Sequence, residues 1–452
     1  FDRARQQNRF VILDLEAIWC HWCHVMEETT YKDEQVVKLL KEKYITVRVD
    51  QDSNPDLLAR YGDYGWPATI VFAPDGSEIV KRRGYIPPRF MANLLQAIID
   101  DPSPGPSVRV EPVITPSLSS NLTPAQKQSL ITRYSELFDA ENGGWGFIHK
   151  FINADAMDYA LSRASQGDKA NELMARHTLH AALDLIDPVW GGVYQYSDQL
   201  DWQSPHYEKI MSIQTKSLRL YSLAWSLFEI DSYRHAADKI YHYLNTFLRS
   251  PEGLYYTSQD ADLNLEIDGD KYFPLDNENR RALGIPHIDS HIYSKDNAWV
   301  IRSFVAYANA TGLQEPLDQA INIADKLAMK FSLTDGGFKH GLNDLAGPYL
   351  SDSVAISQAY LSLYQATGNQ SWLSKARHTL NFIELTFKDN ALGGYFNNVI
   401  SNSSVGVFAK PVKQRDELIQ LARTANIAYH YIGDEKLRSI SEHAMKYMTS
   451  ET

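Results

Sequence analysis

Residues 10–24 read Phe10-Val11-Ile12-Leu13-Asp14-Leu15-Glu16-Ala17-Ile18-Trp19-Cys20-His21-Trp22-Cys23-His24. The run over 10–18 is short and mostly apolar, too brief for a lone helix and typical of a buried central strand. From His21 to Tyr44 the pattern turns helical, and Ile45 to Val49 reads as a second strand closed by the turn-rich Asp50 to Pro55, which makes a βαβ unit. A helix at Pro55–Tyr61 follows. The run Ala68–Phe72, the turn Pro74-Asp75-Gly76 and the run Glu78–Arg82 form a hairpin, and an amphipathic stretch covers about 88–99. Cys20 and Cys23 are the only cysteines in the chain, so a disulfide framework is impossible and any cysteine chemistry belongs to one site.

Cys20 stands at the start of a helix fed by a buried strand, where free backbone N–H groups and the helix dipole stabilise a thiolate. Cys20 is therefore read as the nucleophile. Cys23, one turn later, is read as the resolving thiol, and His21 between them lowers the Cys20 pKa further. Asp14, in the strand six residues before Cys20, is placed to manage the resolving thiol's proton. Trp66-Pro67 precedes the hairpin strand, and a Pro there is a candidate cis peptide beside the cysteines. On Asp14, Trp19, the Cys20–Cys23 pair and Pro67, residues 1–100 resemble a thioredoxin fold. Two other readings use the same residues. Cys20 to His24 also fits a Cys-x-x-Cys-His haem attachment with His24 on iron, but that site wants no strand feeding the first Cys. Zinc on Cys20, Cys23 and His21 or His24 needs a second ligand pair that the sequence does not offer. No metal and no cofactor is therefore expected.

Outward from this unit, 452 residues exceed one ordinary core, which rarely grows past roughly 250–300 residues. Hydrophobic residues at 44% and charged residues at 22% are globular values, so most of the chain should fold. Lys plus Arg is 44 against 56 Asp plus Glu, a net charge of −12, which disfavours nucleic acid and anionic lipid as partners. No run is apolar enough to span a membrane. Residues 101–122 are rich in Pro and Ser and read as an extended linker. Beyond it, apolar-periodic segments at about 123–138, 169–186, 208–229, 232–248, 295–310, 315–331, 351–367, 371–387, 414–432 and 434–449 read as helices, so 123–452 is all-α. Gly143-Gly144-Trp145, Gly191-Gly192, Gly253-Leu254-Tyr255-Tyr256, Gly336-Gly337-Phe338 and Gly393-Gly394-Tyr395-Phe396 punctuate those helices at uneven intervals. That pattern suits a closed ring of helical hairpins with junction loops of varying length.

Within the helical half, His206 and Glu208 follow Pro205 and are expected to open a helix, where titratable groups face whatever lies at its end. Asp260 and Asp262 lie in a loop after Tyr255-Tyr256, and paired carboxylates beside rings are what glycoside chemistry needs. The bland readings are a helix cap for His206 and Glu208 and Asx turns for the two aspartates. Four ordered motifs then carry a resemblance over nearly the whole chain: Cys20-His21-Trp22-Cys23-His24-Val25-Met26, Gly143-Gly144-Trp145-Gly146 leading to Lys150-Phe151, Pro205-His206-Tyr207-Glu208-Lys209, and Asp260-Ala261-Asp262. They are similar to the thioredoxin-domain family that includes spermatogenesis-associated protein 20, in which a thioredoxin-like domain precedes an α/α toroid similar to N-acylglucosamine 2-epimerases and six-hairpin glycosidases. The resemblance implies a toroid site drawn from Trp145, Lys150, Trp202, His206, Glu208, Tyr255, Asp260, Asp262 and Asn297. The chain departs from the family at Ile148-His149-Lys150-Phe151-Ile152 and at Asn297-Ala298, and it is shorter than the usual members.

The expected architecture is thus an α/β thioredoxin-like domain at 1–100, a linker at 101–122 and an α/α toroid at 123–452. The expected function is a thiol–disulfide oxidoreductase-like module, acting on a protein thiol or disulfide partner and fused to a toroid with a cavity for a sugar-like ligand. The rival functions are a toroid that is itself a glycosidase, sugar isomerase or epimerase, and a non-catalytic protein that binds a glycan or partner. Two cysteines in so long a chain lean toward a periplasmic or exported location, with the cytoplasm left open.

Overall fold

The computed structural model describes residues 1–108, 115, 117, 119–344 and 346–450. The first part of the chain runs α1 (Asp2–Gln7), β1 (Phe10–Glu16), α2 (His21–Glu28), α3 (Glu34–Lys43), β2 (Tyr44–Asp50), α4 (Pro55–Tyr61), β3 (Ala68–Phe72), β4 (Glu78–Arg83) and α5 (Pro88–Asp100). Its four strands form one sheet in the order β2-β1-β3-β4. β1 pairs in parallel with β2, Asp14 opposite Arg48, and antiparallel with β3, Asp14 opposite Thr69. The single helix expected over 21–44 is broken by a 3₁₀ turn at Thr30–Lys32, and Asp33 caps α3 by accepting from the Gln35 and Val36 N–H groups.

Side chains alternate across a strand, and β1 uses both faces. Val11, Leu13 and Leu15 pack with Ala4, Tyr61, Ile70 and Phe72 on one side. Ile12 packs with Met26 of α2, Val36 and Leu40 of α3 and Met91 and Leu95 of α5 on the other. Asp14 shares the Ile12 face, beneath α2. The linker expected over 101–122 lies partly outside the described residues.

The second part is helical: α6 (Pro124–Glu136), α7 (Ala154–Ser165), α8 (Lys169–Ala181), α9 (Met211–Phe228), α10 (Asp231–Tyr243), α11 (Gly269–Tyr272), α12 (Asn277–Leu283), α13 (Ser294–Thr311), α14 (Gln314–Lys330), α15 (Leu350–Thr367), α16 (Gln370–Thr386), α17 (Arg415–Ile432) and α18 (Glu435–Met448). Two-residue strands β5 (Tyr196–Ser197), β6 (Pro205–His206), β7 (Lys209–Ile210), β8 (Ser258–Gln259) and β9 (Ile288–Asp289) tie the loops together. The helices α7, α9, α13, α15 and α17 form an inner layer in which each packs on the next, backed by α8, α10, α14, α16 and α18. A hydrogen bond of 3.5 Å from Gln420 Nε2 to Asp155 Oδ1 links α17 back to α7. This is an α/α toroid. α7 is absent from the sequence reading, and His206 and Glu208 do not open a helix: His206 lies in β6, paired with Tyr196, and Glu208 precedes β7, so α9 begins only at Met211. Main-chain pairing of Lys209 with Gln259 and of Ile210 with Ser258 holds this stretch extended.

The glycine repeats are the loops that lead into the inner helices. Asp139 and Asp187 each exchange main-chain hydrogen bonds with the glycine pair that follows them, and Asp389 N donates to Gly394 O. A lysine from beyond each loop then bridges the aspartate and the first glycine's carbonyl: Lys150 to Asp139 Oδ2 at 2.7 Å and Gly143 O at 2.8 Å, Lys209 to Asp187 Oδ2 at 2.7 Å and Gly191 O at 2.8 Å, Lys413 to Asp389 Oδ2 and Gly393 O, both at 2.6 Å. Asp187 also accepts from Arg280 Nη1 at 2.7 Å, and Asp187, Lys209 and Arg280 are all buried.

The thioredoxin-type sheet docks on the toroid through the 3₁₀ turn Gly406–Ala409, whose Val407 and Phe408 pack on the Phe72 side of the sheet. Val407 N donates to Gly76 O at 3.1 Å, and a Cβ on Gly406 would lie 2.2 Å from the Gly76 carbonyl carbon, so this crossing needs glycine.

Removing one partner of a buried ion pair leaves an uncompensated charge and costs about 3–5 kcal/mol. Asp187→Ala strands both Lys209 and Arg280, and we expect a loss of that size in guanidinium unfolding of the full chain. A loss under about 1 kcal/mol, the ceiling for an exposed pair, would contradict a buried role.

Candidate functional site

Cys20 caps α2: its Sγ accepts from the Cys23 N–H at 3.2 Å, and the two sulfurs are joined in a disulfide. Both cysteines are nearly covered, at 4% and 3% exposure, and they cluster with Ala17 and Trp19 under Trp66 and Ile210. Ile210 comes from the toroid. The Trp66–Pro67 peptide is cis. Asp14 Oδ1 is buried with no hydrogen-bond partner, and burial, reinforced by Glu16, pushes its carboxyl up to about 7.

The toroid meets α2 with carboxylates. His21 Nδ1 pairs with Asp262 Oδ2, and His24 Nδ1 lies 3.6 Å from Asp260 Oδ2. The hydrogen bond to Asp262 raises the His21 pKa above its ordinary value. Burial pushes Asp260 up to about 6 and Glu208, whose Oε2 has no partner, up to about 8. Candidate metal donors from His24, Asp260 and Asp262 lie within 4.8 Å of one another. Beside them a groove of about 470 Å³ runs past His21, Trp22, His206, Glu208, Asp262, Asp268 and Asp270. On the other flank, Asp52 accepts from Trp19 Nε1 at 2.8 Å, and its main-chain oxygen meets His340 Nε2 of the toroid at 2.7 Å. Burial, with Asp50 nearby, pushes the Asp52 carboxyl up to about 8.

The toroid residues singled out in the sequence fall in three places. His206, Glu208, Asp260 and Asp262 gather at the cysteine pair. Trp145, Lys150 and Trp202 hold the first glycine loop: Trp145 Nε1 donates to Tyr134 O at 3.1 Å, Trp202 Nε1 to Asn142 O at 2.8 Å, and Lys150 is the bridging lysine. Tyr255 and Asn297 bind each other, Asn297 accepting from Tyr255 N at 2.8 Å and donating to Tyr255 O at 3.0 Å. None of the nine lines the cavity at the centre of the ring. The sequence reading gave no role to Asp52, to Ile210 or to the side chains of that cavity, and found His24 only as a metal or haem ligand. Asp52 sits in a turn-rich segment with no motif, and only the docking of the two parts gives it a partner.

The fold and site define a thioredoxin-type domain seated on the mouth of an α/α toroid. Comparison with known proteins agrees. Residues 1–99 match the family model Thioredox_DsbH, described as a protein of unknown function, DUF255. Spermatogenesis-associated protein 20 of Homo sapiens is 28% identical over 58% of this chain, which spans 38% of that protein's length. Thiol:disulfide interchange protein DsbD of Pseudomonas fluorescens is 39% identical over 80 residues, 17% of this chain and 14% of that protein. Among solved structures, cellobiose 2-epimerase from Bacillus thermoamylovorans superposes with a TM-score of 0.56 at 12% identity, covering 71% of this chain and 85% of that one, a likeness of fold. The resemblance read from the motifs therefore holds for both parts of the chain.

A histidine whose folded pKa is raised contributes docking stability that is fully present below its unfolded pKa and lost as pH rises through the folded value. We expect the His21 ring to titrate above 6.5 in NMR of the full chain and to fall back toward 6.5 in Asp262→Asn, with amide protection factors over residues 260–270, corrected for the intrinsic base-catalysed rate, falling as pH rises past the wild-type midpoint. An unchanged His21 midpoint in the variant would contradict the pairing.

Proposed function

We propose that the protein is a thiol–disulfide oxidoreductase in which Cys20 attacks and Cys23 resolves. The observation that carries this is a Cys20 sulfur at the N-terminus of α2, accepting the Cys23 N–H and already bonded to the Cys23 sulfur. An N–H directed at sulfur favours the thiolate over the thiol. In the reduced protein the Cys20 thiolate attacks one sulfur of a substrate disulfide, a new Cys20–substrate bond forms, and the other substrate sulfur leaves as a thiolate that takes up a proton. Cys23 then loses its proton, attacks the Cys20 sulfur and expels the second substrate thiolate. Two electrons pass to the substrate, the protein ends as the Cys20–Cys23 disulfide, and a dithiol donor reloads it.

Asp14, on the β1 face beneath α2 with its carboxyl near 7, is the group we assign to the Cys23 proton. Trp66, joined to Pro67 by a cis peptide, packs on the cysteine cluster, and His21, held by Asp262, adds positive charge beside Cys20. The acidic groove along His21 and Trp22 favours a neutral or basic thiol or disulfide partner. We divide the chain for this purpose at residues 1–100, 101–122 and 123–452. A second reading, that the toroid binds or converts a sugar-like ligand, is favoured by a cavity of about 480 Å³ at the centre of its inner helices.

The test is reduction of insulin by the full chain with a dithiol donor. Cys20→Ser should abolish it and Cys23→Ser should accumulate a covalent mixed disulfide. Asp14→Asn should slow release of reduced insulin by about 100-fold near neutral pH, the usual scale of a positioned acid or base. In the wild type the release rate should rise with pH through about 7 as the Asp14 carboxylate forms, and the variant should lose that step. Activity that survives Cys20→Ser would overturn the proposal.

A further inference from the structure

The first turns of α7, α9, α13, α15 and α17 face the thioredoxin-type domain, and α4 with Trp66 roofs the space between them, so the cavity of about 480 Å³ is lined by both parts of the chain. Its charges are unevenly paired. Arg219 holds both oxygens of Asp158 at 2.7 Å. Lys216, Lys295 and Arg302 form no ion pair within 4.0 Å among the described residues. Arg302 instead donates to Gln358 Oε1 at 2.6 Å, and Gln358 Nε2 donates to Gln420 Oε1 at 2.9 Å, so a polar chain fixes the guanidinium while leaving most of its N–H groups free.

The acids of the lining lie mostly toward solvent. Asp63, Asp155 and Asp416 are exposed, and Asp155 and Asp416 favour the charged form of Lys216 against a burial that lowers its pKa. Glu417 lies inside with Oε2 buried and unpartnered, and burial pushes its carboxyl up to about 8, so it is mostly protonated at neutral pH. Ser351 Oγ and Trp66 Nε1, both in the lining, are also buried without a partner. Buried polar atoms are rarely left unpaired in a folded protein, and three of them belong to residues that line one cavity. Five helix N-termini add partial positive charge to the same space. Trp299 gives it a flat apolar wall, with the Lys295 ammonium 5.2 Å from the ring centroid.

We infer that the cavity binds a sugar-sized polyhydroxylated oxyanion. Its carboxylate or phosphate meets Lys216, Lys295 and Arg302, its hydroxyls meet Ser351, Glu417 and the Gln358–Gln420 pair, and one ring face lies on Trp299. This rests on the reading of the toroid as a sugar-type site and not on the disulfide. It adds the sign of the ligand's charge and the residues that read it.

The experiment is calorimetric titration of the full chain with glucuronate, glucose 6-phosphate and glucose. At least one anion should bind at least about tenfold more tightly than glucose, the scale of one charge-assisted hydrogen bond, and its affinity should fall with added salt. Glucuronate against glucose 6-phosphate separates a carboxylate from a phosphate ligand. Lys216→Met, Lys295→Met and Arg302→Met should each weaken the anion about tenfold or more, while Lys216→Arg should keep it. The comparison of ligands on the wild type stands even if a variant fails to fold. Glucose binding as tightly as both anions overturns the charge inference and leaves the sugar reading intact. No binding by any of the three overturns both. Anion binding indifferent to all three methionine variants places it elsewhere and overturns the inference.

Discussion

The seating of the Cys20 loop against the toroid is the constraint on which the rest depends. On one flank His21 pairs with Asp262, and on the other Trp19 holds Asp52, whose main-chain oxygen meets His340. Between them the sulfurs lie under Ile210. Here the toroid, part of the same chain, stands against the cysteine loop and helps to cover both sulfurs. Its acids are crowded and desolvated, which is why Asp260 and Glu208 rise above the ordinary carboxylate range. The cost of burying them is offset in part by the imidazoles of α2 that stand opposite, so the cysteine site and the toroid loop stabilise one another.

The same docking makes the toroid's cavity. Without α4 and Trp66 the inner helices would end at an open mouth. With them the space is roofed, and Trp66 touches both the cavity and the cysteine cluster. One side chain therefore borders both candidate sites, which gives a physical reason for the two parts to be found in one chain. The glycine loops hold the rim: each lysine that bridges an aspartate to a glycine carbonyl fixes where the next inner helix begins, and so where the charges on its first turns point.

Much of this was legible in the residues. The apolar run of β1, the Cys20–Cys23 spacing and the Pro74-Asp75-Gly76 turn specify the first fold by local pattern alone, and the glycine repeats announced the ring. α7 was missed because its apolar positions are mostly alanine, and its Asn153 cap follows a loop without a break in composition. Glu208 was read as opening a helix because the apolar period starts there, while pairing across β7 and β8 decides otherwise. Lys150, Tyr255 and Asn297 were expected in a ligand site because the family resemblance implied it. Their hydrogen bonds turn inward to the loop itself. The gathering of Asp260 and Asp262 at the cysteines, and of Lys216, Lys295 and Arg302 around one cavity, depends on contacts between distant segments that no local pattern encodes.

The central claim is that Cys20 and Cys23 form a working redox couple in the folded, docked protein. The most direct test equilibrates the native full chain in glutathione buffers of graded ratio, quenches with an alkylating agent and reads Cys20 and Cys23 by mass spectrometry. The account predicts a single reversible two-electron transition with the protein folded throughout, Cys20 alkylated faster than free cysteine at neutral pH in the reduced form. Thiols that appear only when the chain unfolds, or a Cys20 no more reactive than free cysteine, would contradict it.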